Sequence, residues 1–287
     1  MINAATKFIA LIGDPIEHSM TPIIQNAALE QLNVNVRNIA FRVTPDKLED
    51  AVRGARALGI LGLMVTIPHK EAIVRIADEL DSLATLIGSA NLIHFTDDGI
   101  KAYNTDGYGA SQSLKDAGVS VQGKTVVIIG AGGAGRCLCF QMALDGAAQI
   151  HLFNRTPARA ERVAAEVRGK LNYEAITPHP LDDEQLRATL AHAQVLINAT
   201  SVGMHPNEDA TPVPLDALHA NLTVFDIVYN PLETKLLKSA RAVGAKTVDG
   251  VGMLVYTNVR AVEVCIGVTP SFELMRSKCI EELRRRH

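Results

Sequence analysis

A glycine-rich turn near the middle of the chain carries the clearest chemical signal. Its six residues are Gly130, Ala131, Gly132, Gly133, Ala134 and Gly135. They follow a β-branched run at residues 124–129 and precede an apolar helical segment, and the glycines have the spacing G-x-G-x-x-G. This spacing permits a tight turn and close approach of a pyrophosphate, which the N–H groups at the helix start then bind. The stretch predicts a dinucleotide site; a purely structural glycine turn is the alternative.

The residues after the next strand indicate which dinucleotide is bound. An NAD site typically has Asp or Glu there for the ribose 2′-hydroxyl. This chain has Asn154, Arg155 and Thr156, with Arg159 one turn later. A guanidinium can bind a 2′-phosphate through two hydrogen bonds and stack on the adenine, so the pattern predicts NADP rather than NAD. The alternative is an ordinary helix start with Thr156 as N-cap and Pro157 after it; the two interpretations are compatible.

Several polar groups at predicted strand ends are candidates for substrate chemistry. Lys70 follows the apolar strand predicted at residues 62–67, and a lysine there can donate a proton to a carbonyl oxygen. Its alternative is a solvated surface lysine. The run 104–107, which contains Asp106, is a second group, with an Asx-turn as the alternative. Ser19 and Thr21, beside a predicted helix start, could hold a carboxylate or simply cap the helix.

The loop at residues 198–204, which contains Thr200 and Met204, is a further candidate. It follows an apolar strand in the second half of the chain, so it could wrap the nicotinamide of a dinucleotide. A plain connecting loop is the alternative.

Alternating strands and helices position these groups. Strands are predicted at 7–13, 36–43, 62–67, 91–95 and 100–103, with a helix near residues 69–71, and then at 124–129, 149–153, 173–176, 195–199, 222–228 and 246–248. The pattern predicts two α/β units with mainly parallel sheets, the second of them doubly wound. Helices predicted in the last 35 residues or so have no sheet of their own, so we expect them to pack back on the first unit.

The bulk composition argues against several classes of protein. Of 287 residues, 47% are hydrophobic and 21% charged, and the net charge is -3 without long runs of one sign. Attraction to nucleic acid or to an anionic membrane is therefore not indicated. No apolar run reaches the ~18 residues that a membrane span needs, and the N-terminal run is interpreted as a strand, not a signal peptide. The four cysteines show no metal-site spacing and predict reduced thiols in a cytoplasmic protein without a metal.

Together the motifs resemble those of the shikimate dehydrogenase family over nearly the whole chain. In chain order they are Gly13-Asp14-Pro15, His18-Ser19-x-Thr21-Pro22, Val65-Thr66-x-Pro68-x-Lys70, Asn104-Thr105-Asp106-Gly107, the glycine turn, Asn154-Arg155-Thr156-x-x-Arg159, Asn198-Ala199-Thr200-Ser201-x-Gly203-Met204, Asp226-x-x-Tyr229-Asn230-Pro231-x-x-Thr234 and Asp249-Gly250-x-x-Met253-Leu254. So many motifs in the family's order are highly specific.

The resemblance implies a fold and an activity. It implies an N-terminal α/β substrate domain at residues 1–107, a doubly wound Rossmann NADP-binding domain at 108–249, and C-terminal helices at 250–287 that return to the substrate domain. The implied reaction is the NADP-dependent interconversion of shikimate and 3-dehydroshikimate in aromatic amino acid biosynthesis. The implied partner is a small cyclic hydroxy-carboxylate, with no nucleic acid or membrane, and the protein is expected to be a monomer or homodimer.

The resemblance also implies roles for individual residues. Lys70 and Asp106 would be the catalytic pair, and Ser19 and Thr21 would hold the substrate carboxylate. Other residues expected at the substrate are Thr66, Asn91, Tyr229 and Thr257. Besides the glycine turn and the arginine motif, the residues expected at the cofactor are Thr200, Met204, Ile227, Gly250 and Met253.

Five departures from the family pattern concern the substrate, among them Ala90-Asn91-Leu92 in place of Val-Asn-Thr. Thr21 stands where strict shikimate enzymes have Ser, as in the family's quinate-accepting members; Gln25 stands where His is usual. Met64 replaces an Asn, and Thr257 replaces a Gln that would reach a substrate hydroxyl. Quinate, an amino-shikimate or a related cyclic acid is therefore an alternative substrate. An NADP-binding regulatory protein without turnover is the alternative of another class, although retention of both catalytic residues argues against it.

Overall fold

The computed structural model describes residues 2–286; Met1 and His287, which end two of the predicted domain ranges, lie outside the described residues. The chain divides into two compact units. Unit 1 takes the residues up to Gly109 and those from Leu254 onward, and unit 2 takes Ala110–Met253. No helix in the described part of the chain is both long enough and apolar enough to span a membrane.

Strands and helices alternate through most of the chain. The strands are β1 (Lys7–Gly13), β2 (Val36–Arg42), β3 (Gly62–Val65), β4 (Glu79–Leu80), β5 (Leu92–Thr96), β6 (Gly99–Tyr103), β7 (Thr125–Ile129), β8 (Gln149–Asn154), β9 (Ile176–Pro180), β10 (Val195–Asn198), β11 (Thr223–Asp226) and β12 (Lys246–Val248). The α-helices are α1 (Thr21–Gln31), α2 (Leu48–Ala57), α3 (Ser82–Ile87), α4 (Asp106–Asp116), α5 (Gly133–Leu144), α6 (Pro157–Leu171), α7 (Asp183–Leu190), α8 (Lys235–Ala242), α9 (Gly250–Ile266) and α10 (Phe272–Arg286).

Unit 1 is built on a mixed sheet with the strand order β2-β1-β3-β5-β6-β4. Successive side chains of a strand point to opposite faces, and β1 is buried on both. Ile9 and Leu11 pack with Ala261 and Val262 of α9, while Ala10 and its neighbours face the α2 side. Helix α10 packs on α1. The prediction that the C-terminal helices return to the first unit is therefore confirmed.

Unit 2 contains a parallel sheet with the strand order β12-β11-β10-β7-β8-β9. The chain starts at the central strand β7, proceeds outward to β9, and then returns to β10 and proceeds to β12. This is the doubly wound order, in which ligands bind at the carboxyl ends of the strands beside the point of reversal. That point lies between β7 and β10, so the predicted Rossmann fold is confirmed.

Three local predictions were wrong. Strand β9 begins at Ile176 rather than Tyr173 because Asn172 closes α6 in a left-handed conformation; as an edge strand, β9 tolerates its prolines. The helix expected near residues 69–71 is a short 3-10 turn at Ala72–Arg75. Helix α1 has Met20 as its N-cap, so Thr21, which was expected to be able to cap this helix, lies inside the first turn.

Candidate active site

Lys70 and Asp106 form an ion pair in unit 1. Lys70 Nζ lies 2.6 Å from Asp106 Oδ2, and the side chains are 32% and 17% exposed. The other carboxylate oxygen, Oδ1, accepts a hydrogen bond of 2.9 Å from the Asn91 amide. Each oxygen of Asp106 thus has a donor of its own, which fixes the plane of the carboxylate and the direction from which it holds the ammonium.

The main chain around Lys70 is held by hydrogen bonds rather than by a helix. His69 N–H donates to Thr66 O at 3.0 Å, and the buried His69 ring contacts Val43 O at 2.7 Å. The Lys70 carbonyl accepts from Ala90 N at 2.9 Å. Lys70 is therefore a positioned side chain and not the solvated lysine of the alternative interpretation.

Asp106 is held by its two predecessors in the sequence. Asn104 Oδ1 accepts from Asp106 N at 3.2 Å, the contact of an Asx-turn, and its amide donates to Ser89 O at 3.0 Å. Thr105 N–H donates to Asn91 Oδ1 at 2.7 Å. The Asx-turn thus exists, but it belongs to the network that places the carboxylate. Sequence reasoning assigned no separate role to Asn104 and Thr105; three consecutive polar residues at a strand end were the available signal.

Thr257 joins this network from α9. It is 6% exposed, and its hydroxyl donates to Thr105 O at 3.4 Å. The Thr105 hydroxyl lies 3.3 Å from Thr257 O. Thr257 therefore contacts the residue next to Asp106, with its hydroxyl directed at the main chain of the same segment.

Gln25 and Met64, two of the residues that depart from the family pattern, contact each other in the core of unit 1. Gln25 is fully buried, and its Nε2 donates to Met64 Sδ at 2.9 Å and to Asn258 Oδ1 at 3.0 Å. Its Oε1 accepts from Asn38 Nδ2 at 2.7 Å. Met64 is only 4% exposed. The replaced residues are thus hydrogen-bonded partners within one buried cluster.

Ser19 and Thr21 lie at the start of α1, as predicted. Ser19 Oγ accepts from Thr21 N at 3.3 Å, and Thr21 is buried while Ser19 is half-buried. Thr66 lies at the end of β3, where its methyl group would approach a Cβ atom on Gly13 to 2.4 Å. The structure brings Lys70, Asp106, Asn91 and Thr257 into one network. Among residues 2–286, no side-chain hydrogen bond joins Ser19, Thr21 or Thr66 to that network.

The glycine turn in unit 2 combines structural and open positions. Gly130 has φ +106°, and a Cβ atom on Gly135 would lie 1.8 Å from Gly130 O. These two glycines are required for the turn itself. Gly132 and Gly133 are exposed, and a Cβ atom on either would meet nothing within 4 Å. Gly132 is the N-cap of α5 and offers no side-chain cap, so the first N–H groups of the helix are available to an anion.

The segment after β8 leaves two guanidinium groups unpaired. Asn154 Oδ1 accepts from Ala131 N at 3.0 Å, so this side chain holds the glycine turn. Thr156 is the N-cap of α6 but makes no side-chain cap hydrogen bond. Arg155 and Arg159 are exposed and have no hydrogen-bond or carboxylate partner for their side chains in the described chain. The open glycines and these arginines together fit a dinucleotide with a 2′-phosphate.

A buried network supports the neighbouring loop after β10. Asp226 is fully buried; its Oδ1 accepts from Asn198 Nδ2 at 2.9 Å and its Oδ2 accepts from the Thr234 hydroxyl at 2.6 Å. Burial raises the pKa of the Asp226 carboxyl, and these hydrogen bonds oppose the rise. Asn198 Oδ1 accepts from the Thr200 hydroxyl at 2.7 Å. Sequence reasoning assigned no role to Asp226 and Thr234, although a carboxylate at the end of an apolar strand was a signal.

The other predicted cofactor residues lie in unit 2. Met204 is 44% exposed and Met253 is 9% exposed. Ile227 is half-buried, and so is Tyr229, which was predicted at the substrate rather than at the cofactor. Gly250 lies against Ile227, because a Cβ atom on it would be 2.3 Å from Ile227 O. Within residues 2–286 no group of three or more His, Cys, Asp or Glu side chains could hold a metal ion.

Comparison with known proteins gives a consistent result over the whole chain. Residues 11–93 match the family model described as the shikimate dehydrogenase substrate binding domain, and residues 111–227 match the one described as shikimate / quinate 5-dehydrogenase. The chain is 45% identical over 285 residues to the shikimate dehydrogenase (NADP(+)) of Methanopyrus kandleri, covering 99% of this chain and 98% of that protein.

Two solved structures are similar in fold and sequence. A shikimate dehydrogenase in complex with NADP+ has a TM-score of 0.92 and 43% identity, over 99% of this chain and 98% of that one. Shikimate 5-dehydrogenase from Listeria monocytogenes, in complex with shikimate and NAD, has a TM-score of 0.91 and 35% identity, over 96% and 97% of the two chains.

Proposed function

The chain belongs to the shikimate dehydrogenase family, and from this premise we propose that it interconverts shikimate and 3-dehydroshikimate with NADP as the cofactor. The proposal rests on the ion pair between Lys70 and Asp106, with Asn91 on the second carboxylate oxygen. A regulatory protein that only binds NADP has no need of such an arrangement. Under this proposal unit 1 binds the ring acid and unit 2 binds the cofactor.

Lys70 moves the proton in the proposed reaction. NADPH, when bound, would supply the hydride for the carbonyl carbon in the reductive direction. Lys70, as the ammonium, donates a proton to the carbonyl oxygen and stabilises the negative charge that develops there. Asp106 orients Nζ through Oδ2, and Asn91 keeps the carboxylate from rotating. In the oxidative direction the reverse transfer occurs, and the neutral amine of Lys70 receives the hydroxyl proton to become the ammonium.

The remaining contacts in this proposal are those that the family resemblance implies. Ser19 and Thr21, at the start of α1, bind the ring carboxylate, because the helix N-terminus favours an anion. Thr66, Asn91 and Asp106 bind ring hydroxyls. On the cofactor side, the N–H groups after Gly132 bind the pyrophosphate, and Arg155 with Arg159 binds the 2′-phosphate.

Initial rates of cofactor reduction, followed by absorbance, test the proposal. Shikimate and quinate are each offered with NADP+ and with NAD+. We expect the highest kcat/KM for shikimate with NADP+. Reduction that depends on another cyclic acid but not on shikimate would contradict the substrate, and absence of reduction with every pair would favour the regulatory alternative.

Thr257 provides a finer test of the substrate. Threonine is shorter than glutamine, and the Thr257 hydroxyl is directed at Thr105 O. The Thr257 side chain therefore cannot reach the ring hydroxyl that a glutamine at this position would reach. Loss of one hydrogen bond between a ring hydroxyl and a buried group costs ~1–3 kcal/mol, which corresponds to roughly one to two decades in kcat/KM. Thr257→Gln, alone or with Met64→Asn, should therefore raise kcat/KM for shikimate. No gain in either variant would show that these positions do not set the substrate.

A further inference from the structure

A recess in unit 1 has the character of an anion site. It has a volume of about 360 Å³ and lies between α2 and the segments that contain Arg75 and Ile100. Its cationic residues are Arg53, Arg56 and Arg75. None of its lining residues belongs to the network around Lys70, and the recess is part of neither the proposed substrate site nor the proposed cofactor site.

The three arginines are unpaired. All three are exposed, and their side chains make no hydrogen bond or ion pair with any residue among 2–286. Other arginines of the chain hold carboxylates, for example Arg42 with Asp14 and Arg136 with Glu166. Unpaired guanidinium groups gathered in one place occur again at Arg155 and Arg159, where the 2′-phosphate is proposed to bind.

The spacing of the two arginines on α2 lowers the stability of this helix. Glu49, Val52, Arg53 and Arg56 have the spacing i, i+3, i+4, i+7, so they share one helix face. Arg53 and Arg56 are three residues apart, and like charges at this spacing repel. Glu49 is the carboxylate in the lining, and no ion pair within 4.0 Å joins it to either arginine. An anion between the arginines would relieve the repulsion.

The floor of the recess is apolar. Val52 is 1% exposed, and Ile76 and Ile100 are half-buried. Asp78, three residues after Arg75, accepts from Ile100 N at 2.7 Å and so is already hydrogen-bonded. Guanidinium groups above an apolar floor suit a small molecule that carries at least two negative charges on a carbon skeleton or a phosphate.

We propose that Arg53, Arg56 and Arg75 form a binding site for a small polyanion, either an organic phosphate or a polycarboxylate, separate from the sites of the reaction. Planar guanidinium groups bind both kinds of oxyanion through paired hydrogen bonds, so the shared chemistry is a multiply charged oxyanion. Glu49 opposes the binding, because it places a negative charge in the same wall.

Calorimetric titration at constant ionic strength tests the site with two probes. Pyrophosphate represents the phosphate class and citrate the carboxylate class. The full chain is saturated with NADPH and shikimate, which are both reduced and do not react, so that their sites are filled. We expect one anion per chain with a Kd below about 1 mM, which two or three charge-assisted hydrogen bonds can supply. Whichever probe binds more tightly identifies the class.

Matched variants locate the binding. Arg53→Gln and Arg75→Gln should each weaken it about tenfold or more, whereas Arg162→Gln, an exposed and unpaired arginine on α6, should not. Glu49→Gln should tighten binding severalfold, a change that general loss of structure cannot produce. All these side chains are at the surface of the fold or its recess, and unchanged unfolding temperatures would verify that the variants fold. Absence of saturable binding for both probes, equal weakening by Arg162→Gln, or weakening by Glu49→Gln would each overturn the proposal.

Discussion

The network around Lys70 in unit 1 is made by side chains, whereas the glycine turn in unit 2 is made by the main chain. Around Lys70, side chains make the decisive contacts, and the carboxylate of Asp106 has a partner for each oxygen. In the glycine turn, side chains are missing where the ligand is proposed to bind, and the main chain is exposed at Gly132 and Gly133. The first region positions a proton donor, whereas the second leaves main-chain N–H groups open for the proposed pyrophosphate.

The two regions should therefore fail in different ways. Removing a side chain from the first region should leave the fold and cofactor binding intact and lower turnover. In the second region, an added side chain should disturb the turn itself at Gly135 but only the bound ligand at Gly133. Four predictions test this division, beginning with the largest effect.

Lys70→Ala should have the largest effect. General acid catalysis contributes ~10²–10⁴-fold, so kcat should fall by that factor while the Kd for NADPH stays unchanged. Lys101→Ala is the matched control, because Lys101 is also ion-paired in unit 1, to Glu79. Turnover near the wild-type value, measured by steady-state kinetics, would assign the proton transfer to another residue.

Arg155→Asp should weaken NADP binding by up to ~3 kcal/mol for each hydrogen bond lost, or roughly two decades in Kd. NAD has no 2′-phosphate and should be affected far less. Fluorescence titration with NADPH and NADH measures both, and Arg162→Asp provides the same charge change on α6, away from Arg155. Equal weakening of the two cofactors would contradict the assignment of the 2′-phosphate to Arg155.

Gly135→Ala should destabilise unit 2, because the added Cβ atom would lie 1.8 Å from Gly130 O. Overpacking of this kind costs ~1–3 kcal/mol in the free energy of unfolding. Gly133→Ala is the matched control, since its Cβ atom would meet nothing within 4 Å and could weaken only the bound ligand. Urea unfolding without ligand separates the two; equal stabilities would mean that the turn relaxes easily.

Asp226→Asn should have the smallest effect, and it depends on pH. Burial raises the pKa of Asp226 in the folded state, so the folded protein holds the proton more tightly than the unfolded chain. This contribution to the free energy of unfolding is fully present below the ordinary carboxyl pKa of ~3.9 and is lost as pH rises toward the raised value. The loss amounts to ~1.4 kcal/mol for each pH unit that separates the pKa of the folded state from that of the unfolded chain.

The asparagine variant should lack that loss, because its amide is neutral at every pH. Urea unfolding at several pH values measures it, with Asp98→Asn in an exposed turn as the control. The same pH dependence in both the wild type and Asp226→Asn would mean that the hydrogen bonds from Asn198 and Thr234 offset the burial.

Local patterns in the sequence predicted most of the fold and the centre of the site. Apolar runs such as 125–129 predicted the strands, and the glycine spacing predicted the turn. Local pattern failed where distant residues decide the structure. At residues 69–71, where a helix was predicted, the His69 ring contacts Val43 O, which lies 26 residues away in the sequence. The support that Thr257 gives to Thr105 joins positions 152 residues apart, which no local spacing can reveal.

Unit 1 is discontinuous along the chain, and this affects the order in which the protein can be assembled. Domains generally fold as units, and during synthesis the N-terminal part emerges first. Here, β1 emerges long before α9 and α10, which cover it with Ala261 and Val262 and pack on α1. Unit 2 is complete in sequence once Met253 has been made. During synthesis, unit 2 can therefore fold first. Unit 1, which holds the proton donor, keeps part of its apolar core uncovered until α9 and α10 have been made.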